Sequence, residues 1–261
     1  MQPTALITGA SMGIGRELAL VLAERGYHLG LLARKTDLLV SLKEEIKKRF
    51  PTCEVFVASC DVTQIEACQK TIGDMASALG QLDLFIANAG IGVQTPAWKS
   101  NYKHIHDILM TNVVGAIASI ETAKDIMIKQ GFGHVVGVSS VAGFRGLPTS
   151  SGYSTSKVAL TAYLESIRLD LKKMGIGVTS IHPGFVDTPM TQKNKYAMPF
   201  IMPADQAALI IYKAIQRKKR RFIFPWQMKV LITLMRILPD CLYDALMGLF
   251  IKRLQGSKKT S

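Results

Sequence analysis

From its first residues the chain alternates short apolar runs, rich in Val, Ile and Leu, with longer stretches whose apolar positions recur at helical spacing, and the alternation persists to about residue 225. This is the pattern of repeated strand–helix–strand units. It predicts strands near 4–8, 28–33, 54–58, 82–87, 133–139, 176–182 and 221–224, and helices near 14–25, 37–49, 64–79, 100–129, 153–173 and 204–217. Runs such as Leu82-Asp83-Leu84-Phe85-Ile86-Ala87 and Val135-Val136-Gly137-Val138 are apolar nearly throughout. Strands of that kind belong in a parallel sheet covered by helices on both faces. The expected fold is α/β: a doubly wound parallel sheet of about seven strands over residues 1–224, followed by a helical C-terminal extension over 225–261. Ligands of such sheets bind outside the carboxyl ends of the strands, so the residues after each strand are where chemistry is sought.

Composition narrows the class. With 261 residues, 48% of them hydrophobic and 20% charged, the chain can bury an ample core. No stretch approaches the roughly 18 uncharged apolar residues of a spanning helix; the nearest, 222–238, contains Pro225, Lys229 and Arg236. The opening segment has neither the basic cap nor the long apolar centre of a secretory signal. Cys53, Cys60, Cys68 and Cys241 lack the close paired spacing of a zinc site or disulfide framework, so no metal is expected and a cytoplasmic, reduced protein is. The formal charge of +13 is uneven: residues 213–261 hold 12 Lys/Arg against 2 Asp/Glu, which leaves +3 for the rest. A basic tail on a balanced body argues for an accessory contact with something anionic, not for a nucleic-acid-binding protein.

The first strand runs into Thr8-Gly9-Ala10-Ser11-Met12-Gly13-Ile14-Gly15-Arg16 and an amphipathic helix. Such glycines allow a tight turn and close approach of a pyrophosphate, and the helix N-terminus offers free N–H groups and a positive dipole end. A Rossmann-like nucleotide site is expected there, although the spacing departs from GxGxxG. At the end of the second strand, in Leu31-Leu32-Ala33-Arg34-Lys35, Ala33 stands where an acid would hold the ribose of NAD, and Arg34 is placed to pair with a 2′-phosphate. NADP is therefore favoured over NAD.

The turn resembles the TGxxxGxG motif of the short-chain dehydrogenase/reductase family, and further motifs of that family follow in order over roughly residues 1–224. Asp61-Val62 follows the third strand, Asn88-Ala89-Gly90 the fourth, and Asn112 lies in the next helix. Ser140 closes the fifth strand, Tyr153-x-x-x-Lys157 opens a helix, and Pro183-Gly184, Val186 and Thr188 follow the sixth. The usual Asn-Asn-Ala-Gly reads Ala87-Asn88-Ala89-Gly90. The resemblance implies cofactor contacts from Gly9, Ser11, Met12, Gly13, Ile14 and Gly15, and from Arg34, Asp61, Val62, Asn88, Gly90, Pro183, Gly184, Val186 and Thr188. It implies catalytic roles for Ser140, Tyr153, Lys157 and Asn112. Tyr153 would exchange a proton with the substrate oxygen while the nicotinamide exchanges a hydride with its carbon. Lys157 would also hold the nicotinamide ribose, Ser140 would orient the substrate, and Asn112 would hold a water that links Lys157 to solvent.

Residue chemistry agrees with those roles. Four positions apart on a helix, Tyr153 and Lys157 share a face. A free tyrosine titrates near ~10, and moving it toward ~7 takes about 4 kcal/mol, a magnitude that an ammonium about 4 Å away supplies at an effective dielectric of about 20. Ser139 competes with Ser140 for the substrate role; the 13-residue separation from Tyr153 favours Ser140. The expected activity is an NADP-dependent interconversion of carbonyl and alcohol. The alternative is a non-catalytic dinucleotide-binding sensor or scaffold.

Residues 185–202 include Phe185, Met190, Tyr196, Met198, Phe200, Ile201 and Met202. By resemblance they form a substrate lid, and their methionine-rich content points to a bulky apolar substrate. Beyond the sheet, Trp226–Leu238 and Cys241–Ile251 are strongly apolar, separated by Pro239, with Arg217-Lys218-Lys219-Arg220-Arg221 upstream and Lys252, Arg253, Lys258 and Lys259 downstream. Residues 217–261 therefore suit an anionic membrane surface. The same apolar helices could instead line the substrate pocket or an oligomer interface, and a homo-oligomer is expected.

Overall fold

The computed structural model describes residues 2–194 and 197–256, with side chains through Gly248. Tyr196, Lys258 and Lys259 lie outside the described residues, as do the side chains of Lys252 and Arg253. Six strands of the main sheet are β1 (Thr4–Thr8), β2 (His28–Ala33), β3 (Val55–Ser59), β4 (Leu84–Ala87), β5 (Gly133–Val138) and β6 (Ile176–Pro183). After β6, the two-residue strands β7 (Val186–Asp187) and β8 (Met202–Pro203) pair with each other, and β9 (Arg221–Phe224) completes the main sheet. Its order is β3-β2-β1-β4-β5-β6-β9, parallel throughout. At the centre Ile7 of β1 lies opposite Leu31 of β2 and Ile86 of β4, and all three are fully buried.

Helices cover both faces, as the near-continuous apolar strands require. On one face α1 (Gly13–Glu24), α2 (Thr36–Arg49) and α7 (Ala204–Gln216) bury Leu18, Leu22, Leu39, Ile46 and Ile211. On the other, α3 (Ile65–Leu79), α5 (Ala116–Gln130) and α6 (Ser151–Leu171) bury Ile72, Ile120, Met127, Leu160 and Leu164. The chain winds from β1 outward through β2 and β3, then returns to β4 and winds the other way. The strand order thus reverses between β1 and β4, the place where doubly wound sheets open a ligand crevice.

The helix predicted over 100–129 is interrupted. α4 (Tyr102–Leu109) passes into a π-helical turn, Met110–Gly115, before α5 begins. Two tertiary demands meet there. Asn112 is fully buried, with its amide bonded to the backbone of Ile91, and a Cβ on Gly115 would lie 2.4 Å from the carbonyl oxygen of Val62. A π turn shifts the helical register so that both are met, a common use of such turns near functional sites.

α8 (Trp226–Ile237) and α9 (Asp240–Gly256) follow β9. Met228, Ile232, Met235 and Tyr243 form a third apolar cluster with Val141 and Phe144, from the segment just after β5. Arg145 of that segment donates to the carbonyls of Met235 (2.5 Å) and Leu238 (2.8 Å), pairs with Asp240 (2.8 Å) and lies over the Tyr243 ring. The Tyr243 hydroxyl donates to the carbonyl of Gly146.

Candidate active site

A cleft of about 570 Å³ opens at the carboxyl ends of the strands. Its lining takes in Gly9, Ser11, Met12, Gly13 and Ile14 from the first turn, Arg34 after β2, Asp61 and Val62 after β3, and Asn88 and Gly90 after β4. Ser140, Tyr153, Lys157, Pro183, Gly184, Val186 and Thr188 complete the predicted set that lines it. Gly15 and Asn112 stand behind the lining.

The first turn is held by packing that only glycine permits. Gly9 has φ +67°, and a Cβ there would sit 2.7 Å from the Cα of Ala89. A Cβ on Gly15 would be 2.4 Å from the Gly9 carbonyl oxygen and 2.5 Å from Asn88 Nδ2. Asn88 clamps the same turn: its Nδ2 donates to the carbonyls of Thr8 (3.1 Å) and Gly9 (3.0 Å). Thr8 Oγ1 accepts in return from the backbone of Asn88 and Ala89. Asn88 borders the cleft while its amide is committed to the turn. Met12 at the start of α1 provides no side-chain cap, so the first N–H groups of that helix are left for a ligand. Arg34 is exposed and has no partner among the described residues. Asp61 Oδ1 accepts from the backbone N–H and hydroxyl of Thr63, which closes the turn after β3.

Ser140 is buried and extended (φ −167°); its Oγ accepts from the Ala142 N–H (3.1 Å) and keeps its own proton to donate. The neighbouring Ser139 hydroxyl is spent on the Lys157 carbonyl (3.0 Å) and Thr161 Oγ1 (2.8 Å). Lys157 is buried, donates from Nζ to the Val138 carbonyl (2.9 Å), and lies 5.6 Å from the centre of the Tyr153 ring. Burial lowers its pKa from 10.5 to about 8, so it stays cationic at neutral pH with little to spare. Asn112 Nδ2 donates to Ser156 Oγ (3.0 Å), and that hydroxyl donates to the Tyr153 carbonyl (2.7 Å), so the π turn is tied to the helix that carries Tyr153.

Residues outside the predicted set also line the cleft, among them Cys60, Ile91, Thr111, Pro189 and Thr191. The rule that directed attention to strand ends would have found Cys60, which directly follows β3, and Ile91, which comes straight after the Asn88-Ala89-Gly90 segment that follows β4. Of the expected lid, Val186, Thr188, Pro189, Met190 and Thr191 line the cleft, Met190 being the one among its described large apolar residues; a Cβ on Gly92 would lie 3.2 Å from Met190 Sδ and 3.6 Å from Tyr153 Cδ2.

This fold and site define an oxidoreductase of dinucleotide-binding architecture, and comparison with known proteins agrees. The family model for short chain dehydrogenase matches residues 3–198, and the chain belongs to the short-chain dehydrogenase/reductase family. It is 40% identical over 242 residues to an uncharacterised oxidoreductase of Myxococcus xanthus, a match covering 93% of this chain and 95% of that protein. It is 32% identical over 222 residues to the fatty acyl-CoA reductase of Acinetobacter baylyi, covering 83% of this chain and 74% of the relative. Among solved structures, the alcohol dehydrogenase of Thermococcus sibiricus complexed with 5-hydroxy-NADP superposes with a TM-score of 0.78 at 25% identity, over 86% of this chain and 96% of that one.

Proposed function

We propose that the protein is an NADP-dependent oxidoreductase that interconverts a carbonyl and an alcohol on a bulky apolar substrate. The observation that carries this reading is that Tyr153, Lys157 and Ser140 border one cleft with the glycine turn and Arg34. The residues present suit a nicotinamide dinucleotide. The uncapped N-terminus of α1 offers N–H groups to a pyrophosphate, and the guanidinium of Arg34, exposed and unpartnered among the described residues, with Ala33 in place of an acid, suits a 2′-phosphate over free ribose hydroxyls.

When bound, the nicotinamide supplies or accepts the hydride. Ser140 donates a hydrogen bond to the substrate oxygen and orients it. Tyr153 gives that oxygen a proton in reduction and takes it back in oxidation. Lys157, cationic beside the tyrosine ring, favours the phenolate left behind. Asn112, acting through Ser156, fixes the start of the helix on which both residues ride. Met12, Ile91, Val186 and Met190 give the cleft its apolar character, which supports a bulky apolar substrate. The acyl chain named for the Acinetobacter relative is of that class.

The test is NADPH consumption with a panel of aldehydes and ketones, long-chain members included. Tyr153→Phe is expected to lower kcat by about 10²- to 10⁴-fold while NADPH binding, followed by fluorescence, stays intact. Wild-type turnover by that variant would defeat the mechanism. Tight NADPH binding without reduction of any panel member would defeat the assignment as an enzyme.

A further inference from the structure

α8 has two sharply different faces. Met228, Ile232 and Met235 are buried against the body, whereas Trp226 (71% exposed), Val230 (50%), Leu234 (54%) and Ile237 (73%) stand out from it. At 100° per residue the four outer side chains fall within about 80° of one another, directly opposite the buried three. Lys229 and Arg236 run along one flank of this stripe, and the helix contains no Asp or Glu. Arg221 stands beside the last turn, its guanidinium carbon and that of Arg236 lying 5.4 and 5.8 Å from the Phe144 ring centre; Arg221 is paired with Glu165 (2.8 Å), and the exposed Lys218, Lys219 and Arg220 directly precede it in the chain. On α9, Leu242 and Leu246 add further exposed apolar surface.

A contiguous apolar stripe on a folded protein marks a surface that something covers. We infer that the outer face of α8 lies in the headgroup boundary of an anionic lipid bilayer. An apolar pole with an interfacial tryptophan and a cationic flank is what such a surface accepts. The other simple occupant, a second copy of the chain, fits poorly. A two-fold interface brings the same surface to itself, so Lys229 and Arg236 would meet their own like charges with no carboxylate on the helix to offset them. The nearest acid in sequence, Asp240, is already paired with Arg145. Among the described residues no helix is long and apolar enough to cross a membrane, so the contact is a surface one.

The inner face of the same helix packs on the cleft wall. A Cβ on Gly184 would lie 2.7 Å from Met228 Cγ, and the buried cluster includes Val141, the residue after Ser140. One helix therefore separates bilayer from cleft. The membrane contact stands on the geometry of α8 and not on the proposed reaction.

Flotation of the full chain with vesicles tests it, using phosphatidylcholine alone and an equimolar mixture with phosphatidylglycerol. The wild type is expected to float with the anionic vesicles and to be released by salt. Leu234→Glu with Ile237→Glu should weaken partition on the order of a hundredfold, and Lys229→Gln about fivefold. All three positions are exposed, so melting temperature and NADPH binding should stay at wild-type values. Absence of flotation by the wild type, or equal flotation by the double variant, overturns the inference. So does a wild-type dimer, seen by light scattering, that the double variant splits while neither binds vesicles, because a second copy would then cover the face.

Discussion

Lys157 should destabilise the fold it serves, and Lys157→Met measures by how much. Burial alone lowers the ammonium's pKa from 10.5 to about 8. At 1.36 kcal/mol per pKa unit, the folded protein carries a cost of about 3 kcal/mol wherever the lysine is charged in both states. Methionine fills similar volume without the charge but leaves the Val138 carbonyl without its donor, at about 1 kcal/mol. The net expectation at pH 7 is a variant more stable by about 2 kcal/mol, or about 4–8 °C in Tm for a chain of this size. The pH dependence has a definite sign. Between pH 8 and 10.5 the unfolded chain keeps the proton that the folded chain has lost, so wild-type stability from this group rises with pH across that window. The variant lacks that rise, and the two stability curves should converge and then cross as pH approaches 10.5. Urea melts of both proteins without cofactor, from pH 7 to 10, provide the comparison, and contributions common to both cancel in the difference. A variant less stable than wild type at pH 7, with a parallel pH profile, would refute the reasoning, because the ammonium would then be compensated within the fold. The expected pairing of higher stability with lost turnover is the trade-off of a site built to hold an uncomfortable charge.

Two further substitutions probe the cofactor end. Arg34→Asp should weaken NADPH binding by about 10- to 100-fold, the worth of one charge-assisted hydrogen bond or more, and affect NADH far less; equal weakening in fluorescence titrations would remove Arg34 as a phosphate reader. Gly15→Ala forces a methyl to within 2.4 Å of the Gly9 carbonyl and 2.5 Å of Asn88 Nδ2. It should cost about 1–3 kcal/mol in thermal melts together with NADPH affinity, and wild-type affinity would show that the turn can shift without loss.

The strands were legible because their signals are local. β1, β2 and β9 fall on the predicted residues, and each remaining strand of the main sheet lies within two, since a buried parallel strand writes its burial into consecutive apolar positions. The cleft lining follows from the same regularity, as most of it sits directly after a strand. The break at Met110–Gly115 had no such local sign. It depends on the backbone of Ile91 and on Val62, respectively about 20 and 50 residues away in the chain, and a helical period cannot report partners at that distance. Ser139 and Ser140 are likewise indistinguishable by residue type. What separates them in space is the pairing of the Ser139 hydroxyl with the Lys157 carbonyl and Thr161, while the Ser140 hydroxyl turns back to cap the next turn.

The tail shows most clearly where pattern reading ends. Its periodicity described two apolar helices flanked by cations and left membrane, partner and pocket all open, because an apolar position looks the same whether it faces protein or lipid. Tertiary structure separates these residues into a buried face and an exposed one. Met228, Ile232 and Met235 go to the body, held there by the reach of Arg145 to the end of α8, and Trp226, Val230, Leu234 and Ile237 go outward. The Arg145 contact explains why the division is firm. A guanidinium that bonds two carbonyls at the helix end and pairs with Asp240 fixes how α8 is rotated about its axis, and with it which apolar side chains remain exposed. The surface available to a membrane is thus set by a residue five positions after Ser140, on the segment that borders the cleft.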